Sequence, residues 1–129
     1  MNNGISIKQM KFIIKNHFPK FKINPIDYPG LQIISNKLNS INDNIQFYIL
    51  DIPYAPAIII DDDGWYMDER DNMGLKVNNL NKNMLKKYDV QLFDDDLVMM
   101  VDATDSDRIL DGINKFSDLM NELFIVKER

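Results

Sequence analysis

Short β-branched and aromatic runs, separated by clusters of turn residues, fill the middle of this chain, and that spacing constrains the fold more than any other feature. Leu31 to Leu38, Ile45 to Leu50, Ala57 to Ile60, Val90 to Phe93 and Leu97 to Val101 have the length and residue types of strands. Between them lie Asn39, Ser40, Asn42, Asp43 and Asn44, then Pro53 and Pro56, then the acidic triplets Asp61-Asp62-Asp63-Gly64 and Asp94-Asp95-Asp96. Asp63-Gly64 has the residue types of a type I′ hairpin turn, because both tolerate positive φ. A returning strand is therefore expected at Trp65, Tyr66 and Met67.

Helical patterns frame these runs. Ser6-Ile7-Lys8-Gln9 is a capping-box sequence, and Ile7, Met10, Ile13, Ile14 and Phe18 follow at helical spacing until Pro19 stops the helix. Pro19 to Gly30 reads as a connector. A short helix is expected from Asp68 to near Gly74, and another, capped by Asn78 or Asn79, carries Leu80, Met84, Leu85 and Tyr88 on one face. Thr104 is the expected cap of a last helix whose stripe of Ile109, Leu110, Ile113, Phe116, Met120, Leu123 and Phe124 recurs at three- and four-residue steps. The expected fold is α+β: a mostly antiparallel sheet of about five strands with three main helices, in the order α-β-β-β-α-β-β-α. Residues 1–129 are expected to form one domain, with a basic helix and Pro-containing connector over 1–30 and the core over 31–129.

The stretch from about Leu31 to Phe124 resembles the prokaryotic and phage family called domain of unknown function 1828. The resemblance is carried by the paired strands before the first acidic turn, by Asp62-Asp63-Gly64-Trp65, and by Leu85-Lys86-Lys87-Tyr88-Asp89-Val90-Gln91-Leu92 leading through Asp95 and Leu97 to an amphipathic terminal helix. Met67-Asp68-Glu69-Arg70-Asp71-Asn72 and Pro53-Tyr54-Ala55-Pro56 depart from the family pattern. The resemblance implies a fold and a mobile-element setting, with no reaction attached.

Composition narrows the chemistry. With 45% hydrophobic residues and no Cys, the chain can bury a core without disulfides and offers neither a thiolate zinc site nor a cysteine nucleophile. Abundant Asn, Ile and Lys point to an AT-rich coding genome. Met1 to Gly4 do not start a signal-peptide pattern, and no stretch approaches the roughly 20 apolar residues that span a bilayer. The expected protein is cytoplasmic, with no membrane partner. Its formal charge of −5 disfavours direct nucleic-acid binding.

Catalysis finds little support in the residue types. Aligning Gly64 with the sixth position of an EF-hand loop puts Ile59 at the first ligand position and Arg70 at the twelfth, so essential oxygens are missing. Asp61, Asp63 and a distant carboxylate converge on a cation only if the strand bulges, because adjacent strand residues face opposite ways. No acid-x-Lys step exists to support a two-carboxylate nuclease. His17, the single imidazole, lies at a helix C-terminus, where the dipole favours it. The glycines are scattered and build no phosphate loop. No cofactor, metal or catalytic residue is expected.

Charge is unevenly distributed. Residues 1–40 carry 6 bases and 1 acid, whereas residues 41–129 carry 9 bases and 19 acids. Lys8, Lys11 and Lys15 share one face of the first helix, where they suit a solvated surface or a weak, salt-sensitive contact. Clustered carboxylates imitate a phosphate backbone and steer encounter with a basic surface. The leading reading is a non-catalytic acidic inhibitor from a phage or mobile element, an anti-CRISPR or other anti-defence protein. It would occupy the basic nucleic-acid-binding surface of a larger host protein through Asp61, Asp62, Asp63, Asp68, Glu69, Asp71, Asp94, Asp95 and Asp96. Trp65 and Tyr66 would act beside them as aromatic anchors. The alternatives are a host regulatory or sensing domain associated with a toxin or restriction element, and a metal-dependent nuclease. Homodimerisation through Phe124 or Ile125 is left open by the long apolar stripe.

Overall fold

A computed structural model describes residues 4–27, 29–38, 44–72, 74 and 79–123. The elements run α1 (Ile7–His17), β1 (Lys22–Pro25), β2 (Gly30–Leu38), β3 (Asn44–Asp51), β4 (Ala57–Asp61), α2 (Trp65–Asn72), α3 (Asn79–Lys87), β5 (Gln91–Phe93), β6 (Asp96–Asp102) and α4 (Ser106–Glu122). The six strands form one antiparallel sheet in the order β1-β2-β3-β4-β6-β5. The fold is thus the α+β class that the sequence pattern predicts, with one more strand and one more helix.

The sheet is asymmetric in what its two faces bury. Leu31 and Ile33 on β2, Ile45, Phe47 and Ile49 on β3, Ile58 and Ile60 on β4, and Leu97, Met99 and Val101 on β6 alternate onto one buried face. Met10 and Ile14 of α1 and Ile109, Ile113, Phe116 and Met120 of α4 belong to the same core. The Phe47 and Phe116 rings meet with centroids 5.5 Å apart. α4 lies close to the strands because Gly112 has no side chain: a Cβ there would come within 2.9 Å of Val101 Cγ2. On the other face a hydrogen-bonded ladder joins Asn24, Gln32, Tyr48 and Gln46.

The capping box forms as the sequence indicates, with the Gln9 N–H donating to Ser6 Oγ and the Ser6 N–H to Gln9 Oε1, both at 3.1 Å. The Ile5 N–H donates to the Ala103 carbonyl at 2.7 Å and so pins the start of α1 to the end of β6. Three local expectations are corrected. The connector holds strand β1, which Pro25 concealed; at the end of an edge strand the missing N–H breaks no ladder bond. Trp65, Tyr66 and Met67 open helix α2 instead of returning as a strand, because β4 is already paired on one side with β3 and on the other with β6. Asp105, not Thr104, caps α4, its carboxylate accepting from the Asp107 N–H at 2.9 Å. The expected cap at Asn78 and the tail residues Phe124 and Ile125 lie outside the described residues.

Candidate functional site

Both acidic triplets arrive at one corner of the sheet, one leaving the end of β4 and the other entering β6. At the first, the chain turns off the sheet through two consecutive residues with positive φ, Asp63 at 53° and Gly64 at 79°. This is a strand-to-helix turn and not a hairpin tip. Asp61 accepts the Asp63 N–H at 2.8 Å, a local bond of the type Asp makes readily in turns. Asp62 turns inward and is 3% exposed. Its Oδ1 accepts the Gly64 N–H at 3.1 Å and the Leu97 N–H at 2.8 Å, while its Oδ2 accepts the Tyr66 N–H at 2.9 Å. The Asp62 N–H donates in turn to the Leu97 carbonyl at 3.1 Å. One carboxylate therefore stitches the first turn of α2 to the start of β6, satisfying helix N–H groups that have no partner within the helix.

The second triplet makes the tight hairpin that the first does not. Phe93 pairs with Asp96 across β5 and β6, leaving Asp94 and Asp95 as a two-residue loop. Both loop residues have positive φ, 47° and 67°, as a type I′ turn requires. Asp94 and Asp95 are exposed, and Asp96 is half-buried against the first triplet.

Electrostatics follow from this convergence. Asp61 and Asp96 meet side chain to side chain, within hydrogen-bonding reach of each other. Desolvation raises both above the usual carboxylate range; repulsion from Asp63 adds to this for each, and Asp61 and Asp95 also act on Asp96. Burial pushes Asp62 up to about 6, against the three backbone N–H donors that favour its ionised form. The two ion pairs seen between described side chains, Arg108 with Asp102 and Lys115 with Asp111, lie elsewhere. The corner is a local excess of negative charge with no Lys or Arg paired to it among the described residues.

Carboxylate oxygens of Asp61, Asp62 and Asp96 lie within 4.8 Å of one another. This set differs from the one weighed from the sequence, Asp61, Asp63 and a distant carboxylate: the turn after Asp62 and the approach of β6 bring Asp62 and Asp96 to Asp61. Carboxylates suit a hard divalent cation, which takes six or more oxygens. Asp62 fits that role poorly, since it is buried and accepts N–H bonds at both oxygens, leaving Asp61 and Asp96 as the available ligands.

The remaining predicted site residues divide. Asp68 and Asp71 are exposed on α2, and the Glu69 side chain lies outside the described residues. Trp65 is half-buried and packs against the core. Tyr66 is fully buried, so it and Asp62 offer nothing to a partner, a correction to their expected contact role. Sequence reasoning missed the exposed Phe93, 66% accessible beside the acidic loop, and Phe12, 69% accessible on α1. Phe12 carried a readable signal, standing off the apolar stripe of its helix; Phe93 did not, since only the topology shows that β5 is an edge strand.

No helix among the described residues is long and apolar enough to cross a membrane. No family model, curated protein or solved structure matches this chain.

Proposed function

We propose that this chain is a non-catalytic acidic binding protein that covers a basic, nucleic-acid-binding surface on a larger partner, as an anti-CRISPR or other anti-defence inhibitor from a phage or mobile element would. One observation carries the reading: Asp61, Asp63, Asp94, Asp95 and Asp96 converge at one corner with no basic side chain paired to them among the described residues. Such a cluster is costly to leave uncompensated, and a partner's Lys and Arg relieve that repulsion while their own counterions are released. Exposed Phe93 adds apolar contact at the edge of the charge. The contact surface is smaller than the sequence suggests, since Asp62 and Tyr66 belong to the interior.

The test is capture of a partner on immobilised protein, followed by competition. The expected partner is basic, is released by added duplex DNA and by salt, and binds at least about tenfold more weakly to the triple variant Asp63→Asn/Asp94→Asn/Asp95→Asn. Asp62 is left intact because its replacement would damage the fold. Equal binding by the triple variant overturns the reading. A melting temperature raised by millimolar Ca²⁺ or Mg²⁺, with the rise abolished by Asp61→Asn or Asp96→Asn, replaces it with a cation site built on those two residues.

A further inference from the structure

We infer that the chain associates head to tail, with the β5–β6 hairpin of one copy seated in a basic groove along α1 of the next. The inference rests on the reading of the acidic hairpin as a recognition surface and names one partner for it, a second copy of this chain.

The large apolar side chains exposed among the described residues are Phe12, Tyr54, Leu92, Phe93 and Met100. Three of them are sorted by charge. Phe12 lies in a groove of about 740 Å³ along α1, whose lining includes Ile5 and Ile13 together with Lys8, Lys11 and Lys15. That volume is within the range of roughly 300 to 1,000 Å³ of ordinary ligand sites. The sequence holds no acid before Asp27, so no neighbouring residue on this helix offsets the lysines. Lys15 donates to the Phe21 carbonyl at 2.8 Å, whereas Lys8 and Lys11 make no ion pair among the described residues. Such a groove selects an occupant that is apolar at its centre and anionic at its rim.

Leu92 and Phe93, 38% and 66% exposed, stand immediately before Asp94 and Asp95 on a tight hairpin. They supply that combination on a projecting element of the same chain. Tyr54, on the turn between β3 and β4, and Met100, within β6, have no adjacent acidic pair.

Geometry makes the contact heterologous. α1 starts beside the end of β6, with the Ile5 N–H on the Ala103 carbonyl, and packs against α4, β1 and β2, whereas the Asp94–Asp95 tip lies at the other end of β6. The seven residues of β6, at about 3.3 Å each, separate groove and tip. When two copies dock through a single groove and plug set apart in this way, one of each stays open and assembly continues along a row.

The measurement is mass by sedimentation across a concentration series from micromolar to millimolar. Wild type is expected to grow with concentration, and less so at high salt. Phe12→Ser, with a disabled groove, and Phe93→Ser, with a disabled hairpin, should each associate at least about tenfold more weakly. Because both side chains are exposed, circular dichroism should be unchanged. An equimolar mixture of the two variants should form a capped 1:1 dimer, since one intact hairpin and one intact groove remain. Wild type that stays monomeric, growth that ignores both substitutions, or a mixture that stays monomeric overturns the inference. Phe12→Ser retains every corner aspartate, so charge-dependent capture by this variant, with no self-association in the wild type, would sink head-to-tail assembly alone. Insensitivity of capture to the aspartates sinks the acidic-surface reading itself.

Discussion

The two aspartate triplets have the same composition and opposite fates. In Asp61-Asp62-Asp63 the middle residue is drawn inside, where it holds three backbone N–H groups and joins α2 to β6. In Asp94-Asp95-Asp96 the first two residues form an exposed loop and only the third leans back toward the first triplet. The difference lies in the element that each triplet leads into. A helix must begin after Asp63, and its N-terminus needs acceptors. After Asp95 a strand must return, and it needs residues that accept positive φ. The same side chain serves as a buried acceptor in one place and as a tolerant turn former in the other.

That contrast breaks most visibly by truncation. Asp62→Ala leaves the Gly64, Tyr66 and Leu97 N–H groups without their acceptor in a buried site, at a cost of about 3 kcal/mol or more. Denaturant unfolding should show this loss, together with a melting temperature lower by about 10 °C. Asp94→Ala removes no buried bond and should cost less than about 1 kcal/mol, the strain of a side chain at positive φ. Equal losses at the two positions would mean that Asp62 does not bridge helix and strand.

Acidity sharpens the same comparison, because only one triplet holds a deeply buried carboxylate. The folded protein binds the Asp62 proton at about 6, whereas the unfolded chain binds it near 3.8. Between those values the folded state holds more protons than the unfolded state, so stability increases as pH falls from 7 toward 4.5 and is lost again as pH rises through 6. The expected gain is about 2 kcal/mol. Asp61 and Asp96, also raised, act in the same direction. Asp102 is lowered by its bonds to Thr104, so its contribution fades only below the ordinary carboxylate range, outside this window. Denaturation midpoints at pH 7, 6, 5 and 4.5 measure the slope, which Asp62→Ala should largely flatten.

Much of this fold could be read from residue order. Short runs of β-branched and aromatic residues located β2, β3, β4 and β6, and helical spacing located α1, α3 and α4, because burial of one helix face leaves a period in the sequence. What failed was decided by neighbours distant in sequence. Trp65 could not begin a strand once β3 and β6 flanked β4, a fact of topology that no local pattern records. β1 was hidden because four residues ending in Pro25 carry little period. At the site, Asp-Gly correctly marked positive φ, but whether it closed a hairpin or started a helix depended on the Leu97 N–H, 35 residues from Asp62. The type I′ turn fell instead on Asp94-Asp95, whose residues suit that geometry less well than the Asp-Gly pair.

The meeting of the triplets gives a smaller effect. Asp96→Asn keeps a donor for Asp61 without requiring a shared proton, and removes one charge facing Asp63 and Asp95. Stability at pH 7 should rise by about 0.5 kcal/mol, the scale of partly exposed charge contacts. The gain should shrink in acid, because the raised Asp96 carboxyl then loses its charge in the unsubstituted protein as well. A gain that persists there would trace to packing and not to charge.

The smallest stability change separates folding from recognition. Asp94→Asn with Asp95→Gly installs the pair most favoured in a type I′ turn while deleting two exposed charges. Asn and Gly accept positive φ more readily than Asp, so stability should hold or rise by a few tenths of a kcal/mol. Partner binding should nonetheless fall, because the lost carboxylates belong to the hairpin's outer edge. A variant that is slightly more stable and clearly weaker in binding assigns these aspartates to recognition. Unchanged binding would mean that positive φ alone accounts for both.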